Sequence, residues 1–141
     1  MDTMRVEIVS NEQNIYSGEA KFVVVPTQTG ELGIYPRHMP IMNLVRPGVV
    51  RITVPNQEQE VLLAVSGGLL EVRPDKLTIL AEVAVRSEEM DQARAEEARK
   101  NAEERLKSAT DAKSTAAAEA ALAAAIAELK TLDYIRSQKH K

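Results

Sequence analysis

Apolar and polar side chains alternate with a period of two through the first 86 residues of the chain. Met4, Val6 and Ile8, for example, alternate with Arg5 and Glu7, which is typical of a strand with one buried face. Further apolar runs that indicate strands lie at residues 15–16, 20–25, 41–45, 50–54, 61–65, 70–72, 77–81 and 82–85. The pattern predicts about nine short strands.

Turn-forming residues separate these runs. Pro26 is expected to end the run at residues 20–25, and Pro55-Asn56-Gln57 to join two alternating runs into a hairpin. Many short strands with turns about every eight to ten residues are typical of a sandwich or barrel. We therefore predict an α+β fold in which residues 1–86 form an N-terminal β-sandwich, a flattened antiparallel barrel.

The period becomes helical after Ser87. Ala95, Ala98, Ala102 and Leu106 recur every three or four residues, as on one face of a helix. Ser87 is a candidate N-cap, because acidic residues follow it in the first turn, where the helix dipole favours them. A polar break at residues 108–114 precedes a second helical segment that Ser114 or Thr115 can cap.

We predict helices at about residues 88–108 and 114–136, which form a C-terminal antiparallel two-helix hairpin within residues 87–141. Ten alanines lie among residues 112–129. The larger apolar residues of this segment are expected to form its buried stripe: Leu122, Ile126, Leu129 and Leu132.

The alanine content bears on function. Alanine has the highest helix propensity, so the helices should keep much of their helicity when undocked. Each buried methyl contributes only about 0.8 kcal/mol, against about 1.5–3 kcal/mol for a buried Leu or Ile. A hairpin that detaches and moves is therefore favoured as much as its alternative, two close-packed static helices.

Composition excludes several classes of protein. The 141 residues suffice for one ordinary domain or two very small ones, and the absence of cysteine excludes disulfides and thiolate metal sites. His38 and His140 are far apart and neither has metal-ligand spacing to a carboxylate, so we expect no metal. A net charge of −3 without a basic stripe argues against nucleic acid as a partner.

The sequence predicts no direct membrane insertion. Its apolar runs are shorter than the roughly 20 residues that cross a bilayer, and Met1-Asp2 does not begin a secretory signal. We expect a soluble, cytosolic protein that meets a membrane only through another protein.

No catalytic constellation is recognisable in the sequence. Gly67-Gly68 is followed by neither Lys-Ser/Thr nor a helix, so it indicates a bulge or tight turn rather than a phosphate-binding loop. Ser-His-Asp sets, paired carboxylates in a cleft and HExxH are not found. We expect no catalytic residues.

Residues 30–40 combine glycine and proline with several apolar residues, which is unusual for a solvent-exposed loop. The two glycines permit unusual backbone angles and the two prolines exclude a helix, yet Leu32, Ile34, Tyr35 and Met39 are apolar. The spacing alone is equally consistent with a docking edge for another chain and with a loop that covers one end of a sandwich.

Three segments carry a resemblance to a known family. They are GELGIYPRHMP at residues 30–40, VSGGLLEV at 65–72 and MDQARA at 90–95. The chain resembles, over nearly its whole length, the epsilon subunit of bacterial F-type ATP synthases. The resemblance implies a central-stalk rotor subunit that couples proton flow to ATP synthesis and inhibits ATP hydrolysis through its C-terminal helices.

The resemblance also implies partners and a location. These are the gamma subunit, the c-ring and the beta and alpha subunits of the catalytic head, at the cytoplasmic face of the inner membrane, with one copy per complex and a monomeric isolated chain. Motif position places Glu31, Gly33, Tyr35 and His38 at the interface with the stalk and the c-ring.

The C-terminal segment is basic. When the hairpin extends into the catalytic head, the resemblance implies that Lys130, Arg136 and Lys139 face an acidic surface of the beta subunits. Basic residues late in a helix are also expected from the helix dipole alone.

Some family members bind ATP through an Ile/Leu-Asp-x-x-Arg-Ala motif. Asp91, Arg94 and Ala95 match it, but Met90 replaces its first residue and companion arginines are weakly represented. We therefore expect weak ATP binding and no resident cofactor. An ATP-sensing regulatory module and a static adaptor without inhibitory role remain the alternative functions.

Overall fold

The computed structural model describes residues 2–11, 13–87 and 90–139, and of residues 138 and 139 only the backbone. Predictions that concern Glu88, Glu89 and His140 lie outside these residues. Ten strands are followed by two helices: β1 Met4–Ser10, β2 Gln13–Ala20, β3 Phe22–Thr27, β4 Gly30–Ile34, β5 Ile41–Val45, β6 Gly48–Thr53, β7 Val61–Val65, β8 Gly68–Val72, β9 Lys76–Ala81, β10 Ala84–Arg86, α1 Gln92–Ser108 and α2 Ala112–Lys139.

The strands form one sheet that folds into a flattened barrel. Their order is β10-β7-β6-β3-β5-β8-β9-β1-β2, and β4 pairs along the other edge of β3. The predicted sandwich is confirmed. One strand pair departs from the antiparallel arrangement, because β1 and β9 are parallel, with Val6 opposite Leu77. Alternation along a strand specifies its buried face but not the direction of its neighbour.

The two edge strands, β10 and β2, meet and nearly close the barrel. Arg86 on β10 donates a hydrogen bond from Nε to the carbonyl oxygen of Ile15 on β2 at 3.1 Å. Its guanidinium also lies over the aromatic ring of Tyr16, 5.4 Å from the ring centre. A cation over an aromatic face is attractive at this range, so one side chain joins both edges.

Aliphatic side chains fill the barrel. Val6, Ile52, Leu63, Leu70 and Ile79 are among those with no exposed surface, and the buried core comes from residues 4–81. The expected aliphatic core therefore lies entirely within the strands, and the barrel does not depend on the helices to bury it.

The strands differ from the sequence prediction at several places. β4, at Gly30–Ile34, was not predicted as a strand, and β2 covers Gln13–Ala20 where only residues 15–16 were predicted. Residues 20–25 belong to two strands, because the chain bends at Lys21. Pro26 does not end β3, which continues to Thr27. At Pro26, β3 changes partners from β6 to β5, and the Pro26 carbonyl oxygen accepts a hydrogen bond from the Arg46 N–H at 3.1 Å. Because proline lacks an N–H, it fits best at such a break between two partner strands.

Both helices begin at an aspartate rather than at the predicted hydroxyl residues. Asp91 caps α1, its Oδ1 accepting hydrogen bonds from the N–H groups of Ala93 (2.9 Å) and Arg94 (3.3 Å). The Ser114 N–H donates to Asp111 Oδ1 at 2.6 Å before α2, and this bond lowers the pKa of Asp111. α1 thus starts later than predicted and α2 two residues earlier.

The buried stripe of the hairpin consists of small residues. The predicted Leu and Ile stripe is only half-buried. Among the described residues of the hairpin, the fully buried positions are Ala95, Ala102, Ala118, Ala125, Ala127 and Thr131. Small side chains let the two helix backbones approach closely, and the larger ones pack at the margins of the contact.

Candidate functional site

An apolar patch crosses the outer face of the barrel on β5, β8 and β9. Leu44 lies opposite Leu69, which lies opposite Leu80, so the three side chains share one face. Met42 joins them from two residues along β5 and is 65% exposed. We call Met42, Leu44, Leu69 and Leu80 the apolar patch; contiguous exposed apolar surface of this kind marks interaction sites.

Sequence reasoning missed the apolar patch. The sequence contained a signal for it. β5 has apolar residues on both of its faces, and β8 contains the consecutive pair Leu69-Leu70. A strand that is apolar on both sides has a second apolar face that something else must cover.

Residues 30–40 begin as β4 and continue as a turn. Gly33 leaves room for the Phe22 ring, since a Cβ atom there would lie 2.8 Å from Cζ of Phe22. The Phe22 ring in turn supports Tyr35, with ring centres 4.4 Å apart, while Tyr35 remains 64% exposed. Phe22 and Tyr35 thus form one small aromatic surface beside Gly33, at the end of β4.

His38 belongs to the turn beyond this aromatic surface. Its Nδ1 lies 2.8 Å from the Met39 carbonyl oxygen, so this nitrogen carries the proton in that hydrogen bond. Met39 itself is 71% exposed. The turn is fixed on the barrel by a hydrogen bond from the Arg37 N–H to the Pro74 carbonyl oxygen at 2.8 Å.

Glu31 lies at the other end of β4, away from Tyr35. It lines a groove of about 260 Å³ with Arg46, Arg51, Lys130 and Tyr134, whereas Tyr35 lines a different depression with Phe22. The structure therefore does not gather the four predicted interface residues into one cluster. They follow one exposed edge from end to end.

The predicted ATP motif lies on α1, where two of its three residues have structural roles. Asp91 caps the helix, and Ala95 is one of its buried residues, with 1% exposure. Arg94 lines a cavity of about 570 Å³ together with Asp91, Glu97, Asn101 and Glu128. Burial raises the pKa of Glu128, and Arg94 partly offsets this. Three carboxyl groups and one guanidinium form a poor lining for a triphosphate.

The basic segment of α2 lies at the barrel end of the hairpin, opposite the turn between the helices. Lys130 lines the Glu31 groove. Arg136 donates hydrogen bonds to Gln92 Oε1 on α1 at 2.8 Å and to Asp133 Oδ1 at 3.2 Å. The side chain of Lys139 lies outside the described residues. In this folded form the basic segment is therefore not a free tip.

Tyr134 is a residue that sequence reasoning missed. It lies on α2, and its hydroxyl donates to Glu60 Oε1 at 2.7 Å and accepts from Arg51 Nη1 at 3.2 Å. The sequence feature that could have indicated Tyr134 is its residue type, since it is one of only three tyrosines in the chain and lies in an alanine-rich helix.

In the described part of the chain, no group of three or more His, Cys, Asp or Glu side chains is arranged to hold a metal ion. Nor does either helix, within the described ranges, combine the length and apolar character of a membrane span.

Comparison with known proteins assigns both parts of the chain. The family model "ATP synthase, Delta/Epsilon chain, beta-sandwich domain" matches residues 3–87, and the long alpha-helix domain of the same chain matches residues 88–133. The ATP synthase epsilon chain of Neisseria meningitidis strain FAM18 is 71% identical over 139 residues, covering 99% of both chains. That of Chromobacterium violaceum is 57% identical over 140 residues, covering 99% of this chain and 100% of the relative.

A solved structure shares the fold. A chain in the cryo-EM structure of the Euglena gracilis mitochondrial ATP synthase, OSCP/F1/c-ring in rotational state 1, superposes with a TM-score of 0.72 at 18% identity. The match covers 94% of this chain and 81% of that chain.

Proposed function

Because the chain belongs to the delta/epsilon family of ATP synthase subunits and is thus a non-catalytic accessory subunit, we propose that it is a rotor component of the central stalk. In this role it links the gamma subunit to the c-ring and couples proton translocation to ATP synthesis. Residues 1–86 are the docking domain and residues 87–141 are the regulatory one. The complex holds one copy at the cytoplasmic face of the bacterial inner membrane, and the isolated chain is a monomer.

The apolar patch is the proposed site for the gamma subunit. It faces outward on β5, β8 and β9, whereas α2 packs on β6 and β7, so the hairpin leaves it uncovered. Apolar side chains that stay exposed in the isolated chain become favourable contacts when a partner covers them. The edge formed by Glu31, Gly33, Tyr35 and His38 is proposed to continue this contact to the c-ring.

The hairpin is proposed to inhibit ATP hydrolysis by leaving the barrel and entering the catalytic head. The observation that carries this proposal is the hairpin's small-residue packing: its fully buried positions are alanines and one threonine. Such contacts bury little apolar area, and the barrel core is complete without them. Detachment therefore leaves both parts folded.

Detachment also frees the basic segment. Lys130 and Arg136 lose their neighbours on the barrel and on α1 when the helices separate, and are then available to an acidic surface of the beta subunits. Lys139 is proposed to act with them. ATP sensing at Asp91, Arg94 and Ala95 is the second candidate function, but the acidic lining around Arg94 disfavours it.

Binding to a catalytic head that contains gamma but lacks this subunit tests the docking part. Leu44→Glu places a charge in the centre of the apolar patch and is expected to weaken binding at least about ten-fold, since a buried unpaired charge costs several kcal/mol. Ser17→Glu is the matched control, because Ser17 is exposed on the same outer face at β2. Equal affinity of the Leu44→Glu variant and the unaltered chain would refute the assignment.

A further inference from the structure

The hairpin is attached to the barrel mainly by α2. This helix packs on the outer faces of β6 and β7, and it covers Leu62 and Ala64, which are buried but point away from the barrel core. Since the buried hairpin positions are small, apolar contact alone makes this attachment weak.

Polar contacts between the two parts converge on a single residue. Among the described residues, both side-chain hydrogen bonds between the hairpin and the barrel involve the hydroxyl of Tyr134. No ion pair in the described part of the chain joins the hairpin to the barrel. The polar part of the attachment therefore depends on one phenol.

Tyr134 is placed to use all of its bonding capacity. Its hydroxyl accepts from the Arg51 guanidinium and donates to the Glu60 carboxylate, so both hydrogen bonds are charge-assisted. Arg51 also lies over the ring, 5.2 Å from its centre, within range of a cation–π attraction. Burial raises the pKa of Tyr134 above 10.0, so the phenol keeps the proton that it donates at neutral pH.

The barrel sets the backbone positions of the two partner residues. Arg51 lies within β6, and Glu60 directly precedes β7, the strand that pairs with β6. The pairing of β6 with β7 therefore places a donor and an acceptor within reach of one hydroxyl.

We propose that Tyr134, Arg51 and Glu60 form a clasp that sets the fraction of molecules with a docked hairpin. This inference rests on the proposed function, in which the hairpin moves. When the clasp opens, water replaces these hydrogen bonds and α2 is released from β6 and β7. When it closes, the hairpin returns to the docked form, which does not inhibit ATP hydrolysis.

The test uses the absence of native cysteine. Ser17→Cys and Thr110→Cys place two dyes on exposed positions of the barrel and of the helical turn, and energy transfer in the isolated full chain reports the docked fraction. Mild urea brings both populations into the measurable range. Tyr134→Phe keeps the ring and removes only the hydroxyl, so folding of both parts is preserved.

Tyr134→Phe is expected to lower the docking equilibrium constant about three- to ten-fold. Ser137→Ala is the matched control, because the Ser137 hydroxyl donates to the Tyr134 carbonyl oxygen within α2 and not to the barrel. The docking equilibrium constant of this variant should stay within about two-fold of that of the unaltered chain. Adding Glu60→Ala to Tyr134→Phe should cause less than the sum of the two losses, because both substitutions remove the hydrogen bond between Tyr134 and Glu60.

An unchanged docking constant in Tyr134→Phe, or strictly additive losses in the double variant, would overturn the clasp. The result does not depend on inhibition, because no ATP synthase is present. Inhibition of the catalytic head is measured separately, and the variant that undocks more readily should inhibit more strongly. If it undocks more readily yet inhibits no more strongly, the clasp stands and the inhibitory role fails.

Discussion

Gly68 and Leu80 approach so closely that a Cβ atom on Gly68 would lie 2.1 Å from the Leu80 carbonyl oxygen. Gly68 also has φ +145°, which other residues rarely adopt. Gly68→Ala must therefore displace the backbone of β9 beneath the apolar patch. We expect the free energy of unfolding to fall by about 3 kcal/mol or more, measured by urea denaturation of the full chain.

Gly67→Ala is the comparison variant. Gly67 also has a positive φ, at +132°, but its nearest contact for a Cβ atom is the Val45 carbonyl oxygen at 3.4 Å. It suffers backbone strain without collision and should lose only about 1–2 kcal/mol. Equal losses in the two variants would show that strain, rather than the contact with Leu80, explains the need for glycine.

Asp91 is assigned a capping role. Asp91→Ala leaves the N–H groups of Ala93 and Arg94 without their partner and should cost about 1 kcal/mol of α1 stability. Asp91→Asn still offers an oxygen and should retain most of it. Circular dichroism during thermal denaturation measures both variants, and equal destabilisation by Asn and Ala would assign the effect to the charge of Asp91 instead of its cap.

Glu128 makes the stability of the hairpin depend on pH, with the folded form favoured in acid. Burial raises its folded-state pKa above the ordinary 4.5, so the neutral form is the better accommodated one. Its favourable contribution is complete below pH 4.5 and is lost as the pH rises through the folded value. Glu128→Gln, which stays neutral, should therefore raise the midpoint of thermal unfolding of the hairpin at pH 7 by a few degrees, and the gain should vanish at pH 4. Glu119→Gln, exposed on the same helix, is the control; a pH-independent gain would contradict the explanation.

ATP affinity follows from the charges around Arg94. With Asp91, Glu97 and Glu128 in the same lining, isothermal titration of the full chain should detect no sub-millimolar binding. Glu128→Arg removes a repulsive charge and adds a donor, which should raise the affinity about ten-fold or more. A sub-millimolar dissociation constant for the unaltered chain would instead support the ATP-sensing alternative.

Local patterns in the sequence predicted the elements better than their boundaries. Alternation identified most of the barrel strands, but not β4, and it identified the β6–β7 hairpin. The change of period after Ser87 located the helices. The bend at Lys21 and the passage of β3 through Pro26 depend on which neighbour each strand segment pairs with, information that is not local. The parallel pairing of β1 with β9 was hidden for the same reason.

Motif resemblance identified the family. Its assignment of Glu31, Gly33, Tyr35 and His38 to an interface stays a prediction. The resemblance did not indicate that Asp91 and Ala95 serve the helix itself, or that Lys130 and Arg136 lie at the barrel end of the folded hairpin. Tyr134 escaped notice because its importance comes from Arg51 and Glu60, more than 70 residues earlier in the chain.

ATP hydrolysis by a catalytic head that lacks this subunit tests the central claim most directly, when either the full chain or a chain that ends at Arg86 is added back. The shorter chain keeps the complete barrel core, so it should fold and bind. Inhibition by the full chain only, with binding by both, is the predicted result. Binding by both without inhibition by either would contradict the regulatory role of the hairpin.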